Sequence, residues 1–481
     1  MEINVRKFIE ENIRPYEWDD SFLQWPTEKT TRLREICKKA LKEEKDNWGC
    51  RAIDTETIST ITSHKPGYIE KESEVIVGLQ TDEVLKRSMK PFGGVRVVEW
   101  AIKEKWMEMS PRVNDIFHYA KNHNDAVFDA YDAEIRNYRS KHIVTGLPDN
   151  YARWRIIGDY RRLALYWTDE LLQSKEIDKS NHGWDMTDEK VRLREEIALQ
   201  IRALKDIHTM AMSYGFDVSK PAQNAKEAVQ RVYFAYLAAI KEQDGAAMSL
   251  GNVSSFLDVY IEKDIEEWKL TESEAQELVD QFVMKLRLVR HLRMGAYDDI
   301  FGGDPTWVTE SIWGQLVDGR TKVTKTSFRF LQTLYNLWAS PEPNLTVLRS
   351  QKLPEPFKKF CAKVSIDTSS IQYENDDLMR ECRGSDDYGI ACCVSYQELG
   401  KRIQHFWARC NLPKALLLAL NAGCDEHTGE KVLDVPALSE WELKYDEVYK
   451  NFEYVMNELA RVYAKSMYVI HYMHDKYYYE K

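Results

Sequence analysis

Gly389-Ile390-Ala391-Cys392-Cys393-Val394-Ser395 sets two cysteines side by side inside an otherwise apolar run, and no other stretch of the chain points so directly at unusual chemistry. The run from Tyr388 to Val394 is short, apolar and bounded by polar residues, as a buried strand is. Successive side chains of a strand face opposite ways, so the pair offers one thiol to each side. A disulfide between neighbours would close a strained ring with the Cα atoms well inside their usual separation, so a plain structural bridge is not expected. Two readings stay open from the pair alone: a buried strand that uses two small apolar side chains, or a pair of reactive thiols.

The chain has 481 residues, 43% of them hydrophobic and 30% charged, enough to bury the core of one large domain or two intimately packed ones. A net charge of −11 without a compensating basic tract argues against a nucleic acid or an anionic membrane as partner. The basic-aromatic stretch around Arg153, Trp154, Arg155, Tyr160, Arg161 and Arg162 is too short to change that. The cysteines form no C-x-x-C pair and fit the reduced thiols of a cytoplasmic enzyme. Met1 to Phe8 alternates charged and apolar residues without a continuous apolar segment, and no window is apolar enough to span a bilayer.

Helical periodicity dominates the first two thirds. Thr271-Glu272-Ser273-Glu274 reads as a capping box, and Ala275, Leu278, Val279, Phe282, Val283, Leu286 and Val289 then share one face. Similar stripes run through 28–45, 159–175, 188–213, 222–242 and 442–474, with Pro221 near a helix start. Strand-like runs come later, at Lys363–Asp367 and Tyr388–Val394, and Leu399 to Leu420 returns to helical spacing. Residues 177–186 suit a surface loop. The alternation predicts a helix-rich α/β architecture.

Arg155 and Arg409 could each grip a carboxylate with a planar guanidinium fork, although taken singly the default reading of each is a salt-bridge or helix-end arginine. His471 and His474 have an i, i+3 spacing compatible with a metal, but no third ligand is evident and helix packing is the default reading. Phe92-Gly93-Gly94 and Phe301-Gly302-Gly303 are turns rather than phosphate loops, and no G-x-S-x-G elbow occurs.

Taken together, several runs resemble the pyruvate formate-lyase family of glycyl-radical enzymes over essentially the whole chain, residues 1–481. They are Ser59-Thr60-Ile61-Thr62-Ser63-His64, Thr145-Gly146-Leu147-Pro148-Asp149, Arg155 to Arg162, Gly245-Ala246-Ala247-Met248-Ser249, Phe256 to Tyr260, Ser365 to Ser370, Gln372 to Asp377, the Cys392-Cys393 pair and Ile470 to Asp475. The resemblance implies half of a ten-stranded α/β barrel with the cysteine pair on an inner finger loop or strand. It also implies radical cleavage of pyruvate with coenzyme A (CoA) to acetyl-CoA and formate, the activity of a formate C-acetyltransferase. By the same resemblance Cys392 becomes acetylated and Cys393 receives the radical from a glycine. Arg155 and Arg409 hold the substrate carboxylate, and Ala246, Phe301, Trp307 and Phe406 form an apolar wall. No bound cofactor or metal is expected beyond the organic glycyl radical. The implied partners are a radical S-adenosylmethionine activating enzyme and a second copy in a homodimer. Related dehydratases carry one cysteine followed by a glutamate two positions on, whereas here Val394 occupies that place and the lyase branch fits. A relative acting on 2-oxobutanoate shares the pair.

Two departures qualify the resemblance. The family's Arg-Val-x-Gly-aromatic radical loop is not found; Arg96-Val97-Val98-Glu99-Trp100 has glutamate where the glycine belongs. Family members are longer, so the chain is expected to be an N-terminal portion, inactive alone, or a split subunit completed by a partner carrying the radical glycine. The second departure is tryptophan at family glycine positions: Trp18, Trp25, Trp100, Trp154, Trp167, Trp268, Trp313, Trp338 and Trp407. Glycine serves where the backbone needs positive φ or close approach, and an indole there adds strain. Codons UGA read as glycine would account for these positions, whereas Trp307 matches a family tryptophan.

Overall fold

A computed structural model of the chain describes residues 4–47, 49–90, 102–119, 123–146, 154–183, 186–243, 247–292, 306–401, 403–405, 408–439 and 442–477. The chain divides into two compact units, one of residues 1–117 and 154–404, the other of residues 118–153 and 405–481. In chain order the strands are β1 (Ala52–Ile58), β2 (Lys86–Met89), β3 (Val144–Gly146), β4 (Trp154–Ile156), β5 (Thr309–Ile312), β6 (Asn344–Arg349), β7 (Ile371–Asn375), β8 (Tyr388–Ala391), β9 (Ser395–Glu398), β10 (Ile403–His405) and β11 (Ala408–Cys410).

The first unit is built on long helices. Glu272–Arg287 starts at the expected capping box, with Thr271 and Glu274 satisfying each other's backbone N–H groups. It and Ala225–Glu242 are buried on nearly every side, so their polar residues need internal partners. Gln230 supplies one by exchanging two hydrogen bonds with the backbone of Val77, at 2.8 and 2.9 Å, as a neighbouring strand would. Lys285 pairs with Glu74 in the same interior. Beside these helices β5, β6 and β7 form a parallel sheet. The connections run through helices Lys325–Asn336 and Glu355–Thr368, as parallel pairing requires. Strands β8 and β9 form an antiparallel hairpin.

The second unit packs helix Tyr445–Tyr477 along Leu412–Leu420. Val455, Leu459, Val462 and Ile470 are buried with Ala415, Leu418 and Ala419. Strands β3 and β11 pair antiparallel there, with Arg409 opposite Thr145.

The structure corrects three expectations. Lys363–Asp367 is not a strand but the end of helix Glu355–Thr368, because Phe357, Phe360, Cys361 and Val364 are buried at helical spacing while Ile366 is 82% exposed. The strand follows at β7. Leu399 to Leu420 is helical only from Leu412; β10 and β11 come first. The surface loop at 177–186 is shorter than expected, since helix Arg162–Asn181 runs into it.

Among the described residues, three of the nine tryptophans at family glycine positions have backbone that favours glycine, and so does Trp307, which matches a family tryptophan. Trp167, Trp268 and Trp313 have φ of 41°, 56° and 76°, in the region that favours glycine. Trp18, Trp25 and Trp338 are not among the left-handed residues, and Trp100 and Trp407 lie outside the described residues. Trp268 is 94% exposed, so little packing offsets its strain. Replacing it with glycine is expected to raise the unfolding free energy in urea by about 1 kcal/mol, while Trp268→Ala is expected to give none of that gain. Equal effects of the two substitutions would show that φ is not the cause.

Candidate functional site

The cysteine pair lies not on a strand but at the tip of the β8–β9 hairpin. Ala391 pairs with Ser395, which leaves Cys392, Cys393 and Val394 as a three-residue turn. Cys392 has φ of +62°, a value that cannot continue a strand. The expectation of one thiol on each side therefore fails. The two Sγ atoms face each other 3.5 Å apart, beyond bonding distance, and none of the eight cysteines is in a disulfide. Cys392 is buried and Cys393 exposed.

What places the turn is the polar character of β5. Thr309, Glu310 and Ser311 are wholly buried in a strand whose neighbours Val308 and Ile312 are apolar, and buried polar groups must be paired. The Ser311 hydroxyl accepts from Ile390 N–H at 2.8 Å, and Thr309 Oγ1 donates to the Cys392 carbonyl. Asn344, opposite Thr309 in the parallel register, donates to the same carbonyl at 3.3 Å. Gln372, opposite Thr346, donates to the Cys393 carbonyl. Ser249 accepts from Cys392 N–H at 3.0 Å and donates to the Trp307 carbonyl at 3.3 Å. Each such bond contributes about 0.5–1.5 kcal/mol. Four of them on the two cysteines outweigh the roughly 1–2 kcal/mol that a left-handed residue costs.

Close approach does the rest. A Cβ on Gly389 would lie 2.6 Å from Gly251 Cα, so only glycine lets the hairpin rest against the segment carrying Ser249. At the base of β8, buried Arg161 holds Asp387 by two parallel bonds of 2.9 and 3.0 Å and Asp159 by one of 2.7 Å. The Tyr388 hydroxyl donates to Asp376 at 2.6 Å.

Of the other predicted site residues, Trp307 is tied by its carbonyl to the serine that holds Cys392. Arg155 lies on β4, where only its backbone is described, and Arg409 lies exposed on β11 of the second unit. Ala246, Phe301 and Phe406 lie outside the described residues. Sequence reasoning gave no role to Ser249, Thr309, Ser311, Asn344 or Gln372. The unbroken polar run Thr309-Glu310-Ser311 between Val308 and Ile312 was the available signal. No group of three or more His, Cys, Asp or Glu side chains able to hold a metal occurs among the described residues. No described helix is long and apolar enough to cross a membrane.

The family model described as pyruvate formate lyase-like matches residues 1–481. The chain belongs to the pyruvate formate-lyase-like family. It is 55% identical over 485 residues to the formate acetyltransferase of Haemophilus influenzae, covering 99% of this chain and 63% of that relative, so it spans less than two thirds of the relative's length. The fold is that of glycyl-radical enzymes. The B12-independent glycerol dehydratase of Clostridium butyricum superposes with a TM-score of 0.75 at 18% identity, over 95% of this chain and 66% of that one. A glycyl radical enzyme from Archaeoglobus fulgidus gives 0.67 at 16% identity, over 98% and 65%. The pyruvate formate-lyase-like chain thus has a mixed, helix-rich α/β fold, as expected.

Glu310 ties this site to pH. Its Oε1 accepts from Val253 and Ser254 N–H at 2.9 Å each, capping helix Ser254–Glu266 from the neighbouring strand. Burial pushes its carboxyl up to about 8. That lies above the ordinary value of 4.5, so the neutral carboxyl's contribution is complete below the ordinary value and is lost as pH rises through about 8. Glu310→Gln keeps the accepting oxygen and cannot ionise. Between about pH 5 and about pH 8.5 the wild type is expected to lose unfolding free energy relative to the variant; parallel pH curves would contradict this.

Proposed function

We propose that the chain supplies the reactive thiols and part of the substrate cradle of a formate C-acetyltransferase, which cleaves pyruvate with CoA to acetyl-CoA and formate. The observation that carries this reading is the pair of sulfurs 3.5 Å apart, one buried and one exposed, in a chain 55% identical to a formate acetyltransferase. The family's glycyl radical would supply the unpaired electron by taking the hydrogen of the exposed Cys393 thiol. Hydrogen exchange between the sulfurs moves the thiyl to Cys392, which adds to C2 of pyruvate. The C1–C2 bond then breaks homolytically and leaves an acetyl thioester on Cys392. The formate radical anion takes a hydrogen atom from Cys393 and becomes formate, and the Cys393 thiyl so formed would take a hydrogen atom back from the glycine. The CoA thiol accepts the acetyl group and Cys392 regains its proton. Arg155 and Arg409 hold the pyruvate carboxylate, with Ala246, Phe301, Trp307 and Phe406 as an apolar wall that excludes quenching solvent.

The same reading places the chain as half of a ten-stranded barrel in a cytoplasmic homodimer, activated by a radical S-adenosylmethionine enzyme. In the activated, complete enzyme, Cys392→Ser and Cys393→Ser are each expected to abolish exchange of labelled formate into pyruvate. Arg155→Lys and Arg409→Lys are expected to raise the KM for pyruvate roughly tenfold or more, as loss of a charged hydrogen bond does. Exchange surviving in Cys393→Ser would contradict the relay. A higher kcat/KM for 2-oxobutanoate than for pyruvate would reassign the substrate.

A further inference from the structure

Thr309, Asn344 and Gln372 come from three different strands, yet the parallel register puts them on one face of the sheet, across its N-terminal ends. Asn344 Nδ2 also donates to Gln372 Oε1 at 3.0 Å, so the three form a connected row. All of them donate to the main chain of the two cysteines, and Ser249 takes the N–H on the other side. Thr346 lies on the same face with a buried hydroxyl that has no partner among the described residues and does not reach the turn. We propose that Thr309, Asn344 and Gln372 are positioning residues that hold the cysteine turn closed and so fix the distance between the two sulfurs. Resting on the acetyltransferase reading, this assigns them a role in the hydrogen exchange between Cys393 and Cys392, a step that displacement of about 1 Å would slow severely.

The row can be tested on this chain without substrate or radical, so failure of the row and failure of the acetyltransferase reading are distinguishable. Iodoacetamide labelling of the native protein, read by mass spectrometry, reports Cys393 directly and Cys392 only when the turn opens. Thr309→Val and Gln372→Ala are expected to speed labelling of Cys392 roughly tenfold relative to Cys393, the equilibrium change that loss of one hydrogen bond brings. Thr309→Ser restores the slow rate, and Thr346→Val, which removes a hydroxyl from the same face without touching the turn, leaves it unchanged. Buried Cys37, whose thiol is pushed up to about 12 by burial, stays unlabelled throughout and reports that the core is intact. In the complete activated enzyme the first two variants lower kcat and leave the KM for pyruvate unchanged. An unaltered Cys392 rate in Thr309→Val and Gln372→Ala, an equal acceleration in Thr346→Val, or a change in KM alone would overturn the proposal.

Backbone geometry extends the codon reading to a position that the resemblance does not reach. Ten non-glycine residues among those described have positive φ, and five of them are tryptophan, Trp106, Trp167, Trp268, Trp307 and Trp313, although tryptophan is 14 of the 481 residues. Bulky residues are outliers there. Trp167, at φ 41° and ψ 170°, breaks the helical course of Arg162–Asn181 in a region close to one used essentially by glycine alone. Trp106 stands 95% exposed at φ 56°, with almost no packing to hold it, and is not among the positions where the resemblance expects glycine. Trp307 shares the positive φ but matches a family tryptophan; at the other four, Trp106 as well as Trp167, Trp268 and Trp313, the geometry points to UGA codons decoded as glycine. Tandem mass spectrometry of the protein isolated from its source organism is expected to find glycine at all four and tryptophan at Trp307. Tryptophan at Trp106, Trp167, Trp268 and Trp313 would overturn it.

Discussion

A polar row on one sheet face, buried at Thr309 and half-buried at Asn344 and Gln372, reaches out to the main chain of two adjacent cysteines and is the constraint on which the site depends. A turn with a left-handed first residue and a bulky apolar third residue would not close on its own. Thr309, Asn344, Gln372 and Ser249 together hold it closed. They grip backbone atoms of the cysteines rather than the sulfurs. The cysteines remain thiols that can exchange hydrogen or form a thioester while their carrier stays fixed.

The rest of the first unit serves that fixation. The parallel sheet sets the row by its register. The glycine contact between Gly389 and Gly251 lets the hairpin lie low enough to be reached. Arg161 anchors the base of β8 through Asp387, and Tyr388 ties it to Asp376 at the end of β7. Glu310 performs a parallel task one residue along β5, where its carboxyl ends a helix that supplies no side-chain cap of its own. Burying so many polar groups in one short strand is costly, and the bonds that Thr309 and Ser311 make to the hairpin offset part of that cost, which makes the sheet and the hairpin mutually dependent.

Much of this was legible in the sequence where the cause is local. Helices 188–213 and 272–287 follow from apolar spacing and capping residues a few positions apart, and the cysteine pair stands out by composition. Strand and helix were confused at Lys363–Asp367 because Val364 and Ile366 alternate there like a strand; burial by the neighbouring helix, a tertiary fact, decides between them. The turn at Cys392 looks like strand in the sequence because nothing local marks a left-handed cysteine. The row was missed for a similar reason: a threonine or glutamine in a strand ordinarily faces solvent, and its partner here lies 83 residues away for Thr309 and 21 for Gln372. The tryptophans show the converse, since their side chains say nothing about the backbone they occupy and φ reveals it.

The central claim is that two neighbouring sulfurs are held face to face by the fold. Titration of the native, reduced chain with phenylarsine oxide tests it most directly, because the arsenic must bridge two thiols at about their present separation. The account predicts one tightly held arsenical per chain, lost in Cys392→Ser and in Cys393→Ser alike. Binding that survives either substitution, or no binding by the native chain, would contradict it.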